Sequence, residues 1–272
     1  MLSNITIGQY FPAKSVIHRA DPRVKLVLTI ALIVVIFLAD SFVSIGVCAA
    51  FCFLTVLLTR IPFKMYLKTV KAIWPVLILT SVLNIFYITG EGDPLLSWKF
   101  IRIYSEGIER ALFIAIRIFL LLIISSALTY TTSPSELTDA IERLLSPLKF
   151  IGLGNAVHTF AMMMSIALRF IPTLIEETDK IMSAQKARGA DMESGGIIKR
   201  IKALLPILIP LLFSSVRRAD DLAKAMECRC YNGGTNRTKM KQLHMAVRDW
   251  MLILASAALL AAVILLRIFP IV

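Results

Sequence analysis

Long apolar runs, separated by short polar stretches, fill the first half of this chain. A bilayer span takes roughly 20 mostly apolar residues. Residues 24–39 and 42–58 meet that requirement and are joined by a tight turn at Asp40 and Ser41. Residues 72–89, with Pro75 near their start, predict a third span, and residues 108–128 a fourth. A fifth covers 250–268, with Trp250 at its start as an interfacial anchor.

The pattern changes between Tyr130 and Asp249. Two stretches there, AVHTFAMMMSIALRFIP and LLPILIPLLFSSV, are apolar enough to suggest further spans. The first is interrupted by His158 and Arg169, and arginine costs roughly 2.5–3.5 kcal/mol at a helix centre on insertion scales. The second is short and contains Pro206 and Pro210. Both are read as dipping, interfacial or protein-covered helices rather than spans. The segment then resolves into three helical units. The first opens at TTSPSELTDAIERLL, with Ser133 as N-cap, Pro134 at the first helical position and Glu136 completing a capping box. Leu137, Ile141 and Leu144 share one face, and Pro147 ends the unit. The second runs from about Asn155 to Ala187 and stops at Gly189. The third runs from about Ile197 to Cys230 and stops at Gly233 and Gly234. Units two and three follow one plan: an apolar first half, a charged second half, a terminal arginine, then glycine.

Composition agrees with a membrane location. The 272 residues are 57% hydrophobic and mean hydropathy is +0.77, too apolar for an ordinary soluble domain. The net charge of +12 fits lysine and arginine held on the cytoplasmic side; no basic run is interleaved with aromatics, so a nucleic-acid partner is set aside. Lys14, Arg19, Arg23 and Lys25 precede the first span, and Arg60, Lys64, Lys68 and Lys71 follow the second, whereas the turn at Asp40 has no basic residue. The N-terminus is therefore expected in the cytoplasm and the C-terminus outside. The expected fold is an all-α integral membrane protein, with about five transmembrane helices and three cytoplasmic or interfacial helices. Its expected divisions are 1–129, 130–248 and 249–272. No cleavable signal pattern precedes the first apolar run.

Candidate chemistry is sparse. Cys48 and Cys52 sit in an apolar run and read as packing residues. Cys228 and Cys230 form a CRC pair that lacks two further ligands at zinc spacing, and His244 does not complete a site. His158 reads as a helix-packing or interfacial residue and not a metal ligand, because no acid or second histidine stands beside it in sequence. Arg117, near the centre of the fourth span, is either part of a substrate path or a bundle-facing arginine satisfied by carbonyls, serines or an acid; the second is favoured. No phosphate-binding loop of the G-x-x-x-x-G-K-[ST] type occurs, so ATP hydrolysis by this chain is not expected.

The two terminal arginines, Arg188 in AQKARGADME and Arg229 in AMECRCYNGG, carry the argument. For one arginine, helix-end electrostatics worth about 0.3–1 kcal/mol would suffice. Here the arrangement occurs twice. Small neighbours flank both guanidinium groups: Ala187, Gly189 and Ala190 around the first, Cys228 and Cys230 around the second. A planar guanidinium among small residues suits insertion into an acidic pocket with bidentate bonding. Asp191 either orients Arg188 or caps locally.

KARGAD and AMECRCYNGG resemble the paired Ala-Arg-Gly motifs of the transmembrane T component of energy-coupling factor (ECF) transporters, a CbiQ-like family. TTSPSELTDAIERLLSPL and the N-terminal GQYFPAKSVIHRADPRVKL are similar to that family as well. The second motif departs from the pattern, with Cys228 for alanine and Cys230 for glycine. The resemblance implies a non-catalytic coupling subunit of an ECF-type ABC importer in a bacterial cell membrane. It implies two cytoplasmic ABC ATPase subunits as partners, which bind the ATP, and a membrane-embedded S component that captures a vitamin or other micronutrient. Arg188 would engage one ATPase and Arg229 the other, with Ala187, Gly189, Cys228 and Cys230 completing the docking surfaces. No cofactor or metal is implied for this chain. The methionines of FAMMMSIALRF suit either an adaptable surface for more than one partner or ordinary helix packing. Two other classes compete. A self-sufficient channel or secondary transporter would use Arg117 on its solute path. A membrane-embedded enzyme would need clustered acids or histidines, and His18, His158 and His244 lie far apart in sequence.

Overall fold

The computed structural model describes residues 10–87, 96–98, 101–190, 196–233 and 244–269. Eight α-helices account for most of them: α1 Pro22–Leu38, α2 Phe42–Thr59, α3 Phe63–Tyr87, α4 Ser105–Thr131, α5 Pro134–Leu144, α6 Gly154–Ala187, α7 Ile197–Cys228 and α8 Val247–Ile268. A two-stranded antiparallel hairpin, β1 Leu96–Trp98 and β2 Ile101–Ile103, precedes α4. A 3-10 turn, Ser146–Ile151, follows α5. The chain is an all-α integral membrane protein apart from that short hairpin.

The described residues fall into two compact units, one from Gln9–Ser133 with Gln242–Val272, the other from Pro134–Lys241. The first holds α1–α4 and α8. Local chemistry sets its helix ends. Asp21 caps α1 by accepting the Arg23 backbone N–H at 2.9 Å, with Pro22 in the first turn, where its missing N–H costs nothing. Ser41 and Ser44 bond each other's backbone in a reciprocal cap at the start of α2. Leu32, Val35 and Ile36 of α1 meet Cys48 and Cys52 of α2, Leu120 and Ile124 of α4, and Leu259 and Val263 of α8 in one buried cluster. The two cysteines are thus packing residues, as expected. A second cluster joins α3 through Tyr66, packed edge-on against Tyr130 of α4 at 5.4 Å between ring centres. Most of the remaining apolar surface of α3, including Trp74, Leu79 and Leu83, faces outward.

Two sequence expectations shift in detail, the start of α3 and the set of helices able to cross a membrane. α3 begins at Phe63, nine residues before the predicted apolar span, because its first turns are helical but basic. Hydropathy marks where lipid begins and not where the helix does. Pro75 lies inside α3 without ending it; neighbouring helices tolerate such a break in membrane proteins. By length and composition, five helices can cross a membrane: α2, α3 over Phe63–Phe86, α4, α6 and α8. α1, at 17 residues, is at the lower limit of span length. α6 qualifies despite His158 and Arg169, since its first half alone carries enough apolar residues.

In the second unit, α5 starts at Pro134 as predicted and turns its polar and apolar residues to opposite sides. It packs on α6, and α6 on α7. The third predicted helix ends at Cys228, two residues before the expected position.

Candidate site: two arginine-capped helix ends

Both long helices of the second unit end in the same backbone device. At the end of α6, Arg188 is the C-cap, and its N–H reaches the Ala184 and Gln185 carbonyls at 3.2 and 3.1 Å. The Gly189 N–H donates to Lys186 at 3.0 Å, and the Ala190 N–H to Gln185 at 3.0 Å. At the end of α7, Arg229 is the C-cap. The Cys230 N–H donates to Glu227 at 2.8 Å and the Tyr231 N–H to Met226 at 3.0 Å. Each is a Schellman motif: the first residue past the cap closes a short bond, the second a long one, and two orphan carbonyls are satisfied. The motif needs a left-handed residue just past the cap. Gly189 supplies it at φ +86°, and Cys230 at φ +55°. A Cβ built on Gly189 meets nothing within 4 Å, so backbone conformation and not space selects glycine there.

Each cap presents its arginine outward. Arg188 and Arg229 are exposed, as are Ala187 and Gly189 beside the first and Cys228 and Cys230 beside the second. Asp191, the expected neighbour of Arg188, lies outside the described residues. The structure does not bring the two arginines together. Glu177 of α6 meets Ser214 and Arg218 of α7, whereas Gln185, eight residues further along α6, meets Pro206, eight residues before Ser214. The helices therefore run against each other, and their arginine ends point in opposite directions.

The contacts between α6 and α7 were not legible in sequence. One Glu177 carboxylate oxygen accepts the Ser214 hydroxyl and the other accepts Arg218 Nη2 at 2.6 Å. Gln185 Nε2 donates to the Pro206 carbonyl at 3.5 Å. In a regular helix that carbonyl would accept from residue 210, but Pro210 has no N–H, so the glutamine fills the vacancy.

The other residues singled out by sequence have structural surroundings. His158 Nδ1 lies 3.2 Å from Glu142 of α5, so an acid does stand beside it, supplied from 16 residues earlier where sequence neighbours gave no hint. Arg117 reaches the α1–α2 turn. Its Nη2 donates to the Ala39 carbonyl, Asp40 lies 3.9 Å away, and the guanidinium stacks 4.7 Å over Phe113. Arg267 shares Asp40 at 3.2 Å. Arg117 Nη2 is met by a carbonyl and faces an acid, in line with the favoured of the two sequence readings, while its Nε is buried without a hydrogen-bond partner among the described residues. Among the described residues, no group of three or more histidines, cysteines or acids is placed to hold a metal.

A clamp at one end of the first unit was also missed. Lys25, buried, donates to the His18 carbonyl at 3.1 Å and the Thr131 carbonyl at 2.9 Å. Asp249, buried at the start of α8, accepts the Asp21 N–H at 2.9 Å and the Ala246 N–H at 2.8 Å. Phe11 N–H donates to Tyr130, and His18 Nε2 to the Phe11 carbonyl, each at 3.0 Å. The pre-helical segment thus ties α1, α4 and α8. Burial opposes ionisation of Asp21, but the hydrogen bonds from the Arg23 side chain and backbone, with the charges of Arg23 and Lys25, outweigh it and lower the carboxyl below its ordinary value.

Residues 13–240 match the family model CbiQ, described as cobalt transport protein. The energy-coupling factor transporter transmembrane protein EcfT of Clostridium kluyveri is 49% identical over 269 residues, covering 99% of both chains. That of Acidaminococcus fermentans is 49% identical over 98% of both. That of Bacillus subtilis is 42% identical over 98% of this chain and 100% of its own. On this nearly full-length similarity the chain belongs to the CbiQ family, among the energy-coupling factor transporter transmembrane proteins.

Proposed function

We propose that this chain is the coupling subunit of an ECF-type ABC importer, passing the ATP-driven motion of two cytoplasmic ATPase subunits to a membrane-embedded S component. The observation that carries this reading is the repeated cap. Two helices of one unit each end in an exposed arginine held by the same backbone motif, and they run in opposite directions. Two separate motors, each with an acidic pocket, would be engaged by such a pair. The Schellman caps hold the backbone of each arginine without using its side-chain donors, which suit bidentate bonding. Ala187 and Gly189 at one end, and Cys228 and Cys230 at the other, leave the approach clear.

The first half of α7 supplies the other surface. Leu204, Leu205, Leu208, Ile209, Leu212 and Phe213 recur at helical spacing and are exposed, as are Phe160, Met163 and Met164 of α6. These apolar faces suit the S component within the bilayer. ATP is bound by the ATPases and the transported vitamin or micronutrient by the S component, so this chain performs no catalysis. The N-terminus and both arginine ends lie in the cytoplasm, and the C-terminus outside, in a bacterial plasma membrane. The competing reading of a self-sufficient channel used Arg117 on a solute path. The hydrogen bond to Ala39, with the Asp40 carboxylate 3.9 Å away, supports a packing role for that arginine instead.

Copurification from cells producing all the subunits tests the reading. The chain is expected to bring two ATPases with it. Arg188→Ala is expected to weaken ATPase docking by about 2–5 kcal/mol, the usual cost of truncating one partner of a buried charge pair, with normal membrane insertion and reduced uptake. Undiminished docking and uptake in that variant would remove Arg188 from the interface.

A further inference from the structure

The Glu177 contact has a position that its chemistry alone does not require. Eleven residues separate Glu177 from Arg188 along α6, and eleven separate Arg218 from Arg229 along α7. At 1.5 Å per residue each interval is about 16 Å, and eleven residues are close to three whole turns. Each member of the ion pair therefore lies on nearly the same helix face as the arginine at its own helix end. Neither interval contains proline or glycine. Pro172, Pro206 and Pro210 all fall on the other side of the contact, in the apolar halves. Lys224 and Asp220 add an i,i+4 pair within the second interval. The result is two stiff, equal arms that meet at one charged contact and extend in opposite directions from it.

We propose that Glu177, bonded to Ser214 and Arg218, is the pin of this helix pair, a positioning residue that fixes where α6 and α7 cross and so sets the spacing of the two arginine ends. The role rests on the coupling function proposed above. The carboxylate suits it because each oxygen has its own partner on α7, one a hydroxyl and one a guanidinium, four residues apart on one face. A single bond would let the helices swivel about it; two bonds from one carboxylate hold both register and angle. Gln185 on Pro206, eight residues away, adds a weaker second contact on the α6 arm. With equal arms, the ends of an antiparallel pair are about 33 Å apart along its length. A given rotation about the pin moves both ends by the same distance. Loss of the pin leaves each arginine able to dock but uncouples the spacing of the ends from the apolar halves.

The test uses the full transporter with its ATPases and S component. Spin labels go on Ser183→Cys and Ala225→Cys, one exposed position in each arm, with Cys228→Ala and Cys230→Gly to remove the exposed thiols. The pinned pair is expected to give one narrow distance distribution, and Glu177→Ala a broadened one. In the same unlabelled complexes, Glu177→Ala is expected to keep both ATPases bound while substrate taken up per ATP hydrolysed falls about tenfold, near the upper range for a residue that carries coupling without touching a ligand. The exchanged pair Glu177→Arg with Arg218→Glu is expected to recover most of that loss, and either exchange alone is not. An unchanged distance distribution in Glu177→Ala would overturn the pin. So would a broadened distribution with full uptake per ATP, or failure of the exchanged pair to recover. A wild-type chain that takes up substrate without its ATPases would overturn the coupling function itself and leave the pinned geometry in place.

Discussion

Arg188 and Arg229 occupy equivalent positions, yet the residues after them are not equivalent. Gly189 takes its left-handed conformation freely, whereas Cys230 takes φ +55° at the expense of its Cβ. For a residue with a side chain that conformation costs roughly 1–2 kcal/mol, against roughly 0.5–1 kcal/mol for the greater unfolded freedom of glycine. Cys230→Gly is therefore expected to stabilise the end of α7 by roughly 0.5–1 kcal/mol, read as a higher unfolding midpoint of the purified chain, with ATPase docking retained. An unchanged or lower midpoint would show that the cysteine relieves its own strain. Gly189→Ala has the opposite sign. The arginine and its small neighbours were legible in sequence because caps are local. That Cys230 would stand in for glycine was not, since no letter code marks a non-glycine residue in the left-handed region. The shared hydrogen-bond pattern, and not the letters, makes the two ends alike.

At the scale of elements, what sequence conveyed depended on the distance between partners. Helix starts were read from Pro134, and helix stops from Gly189, because both signals act within a turn. The clamp that joins α1, α4 and α8 was hidden: Asp21 and Asp249 stand 228 positions apart, and periodicity marks a buried face without naming what covers it. The same limit concealed Glu142 beside His158 and Glu177 beside Arg218. The clamp carries its own prediction. Asp249→Ala leaves the buried Asp21 N–H and the Ala246 N–H without their acceptor, a loss of about 1–3 kcal/mol in stability for an unsatisfied group. Asp21 contributes a pH dependence of fixed sign. Its carboxyl is more acidic folded than unfolded, so its contribution is complete above the ordinary value of 3.8 and is lost as pH falls below that. Thermal unfolding of wild type is expected to weaken below about pH 4, and Asp21→Asn to flatten that acid limb. An identical acid limb in the variant would assign the effect to other carboxylates.

For the whole molecule, thiol chemistry reports sidedness. Cys48 and Cys52 are buried in the membrane unit, and Cys228 and Cys230 are exposed beside Arg229. In membrane vesicles from cells lacking the ATPases, a membrane-impermeant maleimide is expected to label Cys228 and Cys230 only when the cytoplasmic face is outward. Added ATPases are expected to slow that labelling. Labelling from the outer face would place the α7 end across the bilayer and, with it, reverse the proposed topology. This experiment also bears on α6, whose first half is apolar enough to cross a membrane despite the two polar residues that argued against it.

The equal intervals between the ion pair and the two arginines have a consequence for how such a chain can change. One added residue in either interval turns the guanidinium by about 100° and lengthens the lever by about 1.5 Å. Substitutions along the surface of either lever leave both quantities untouched. Insertions and deletions there are thus expected to be far more damaging than replacements, and a change of about seven residues is the shortest that nearly preserves heading, adding two full turns.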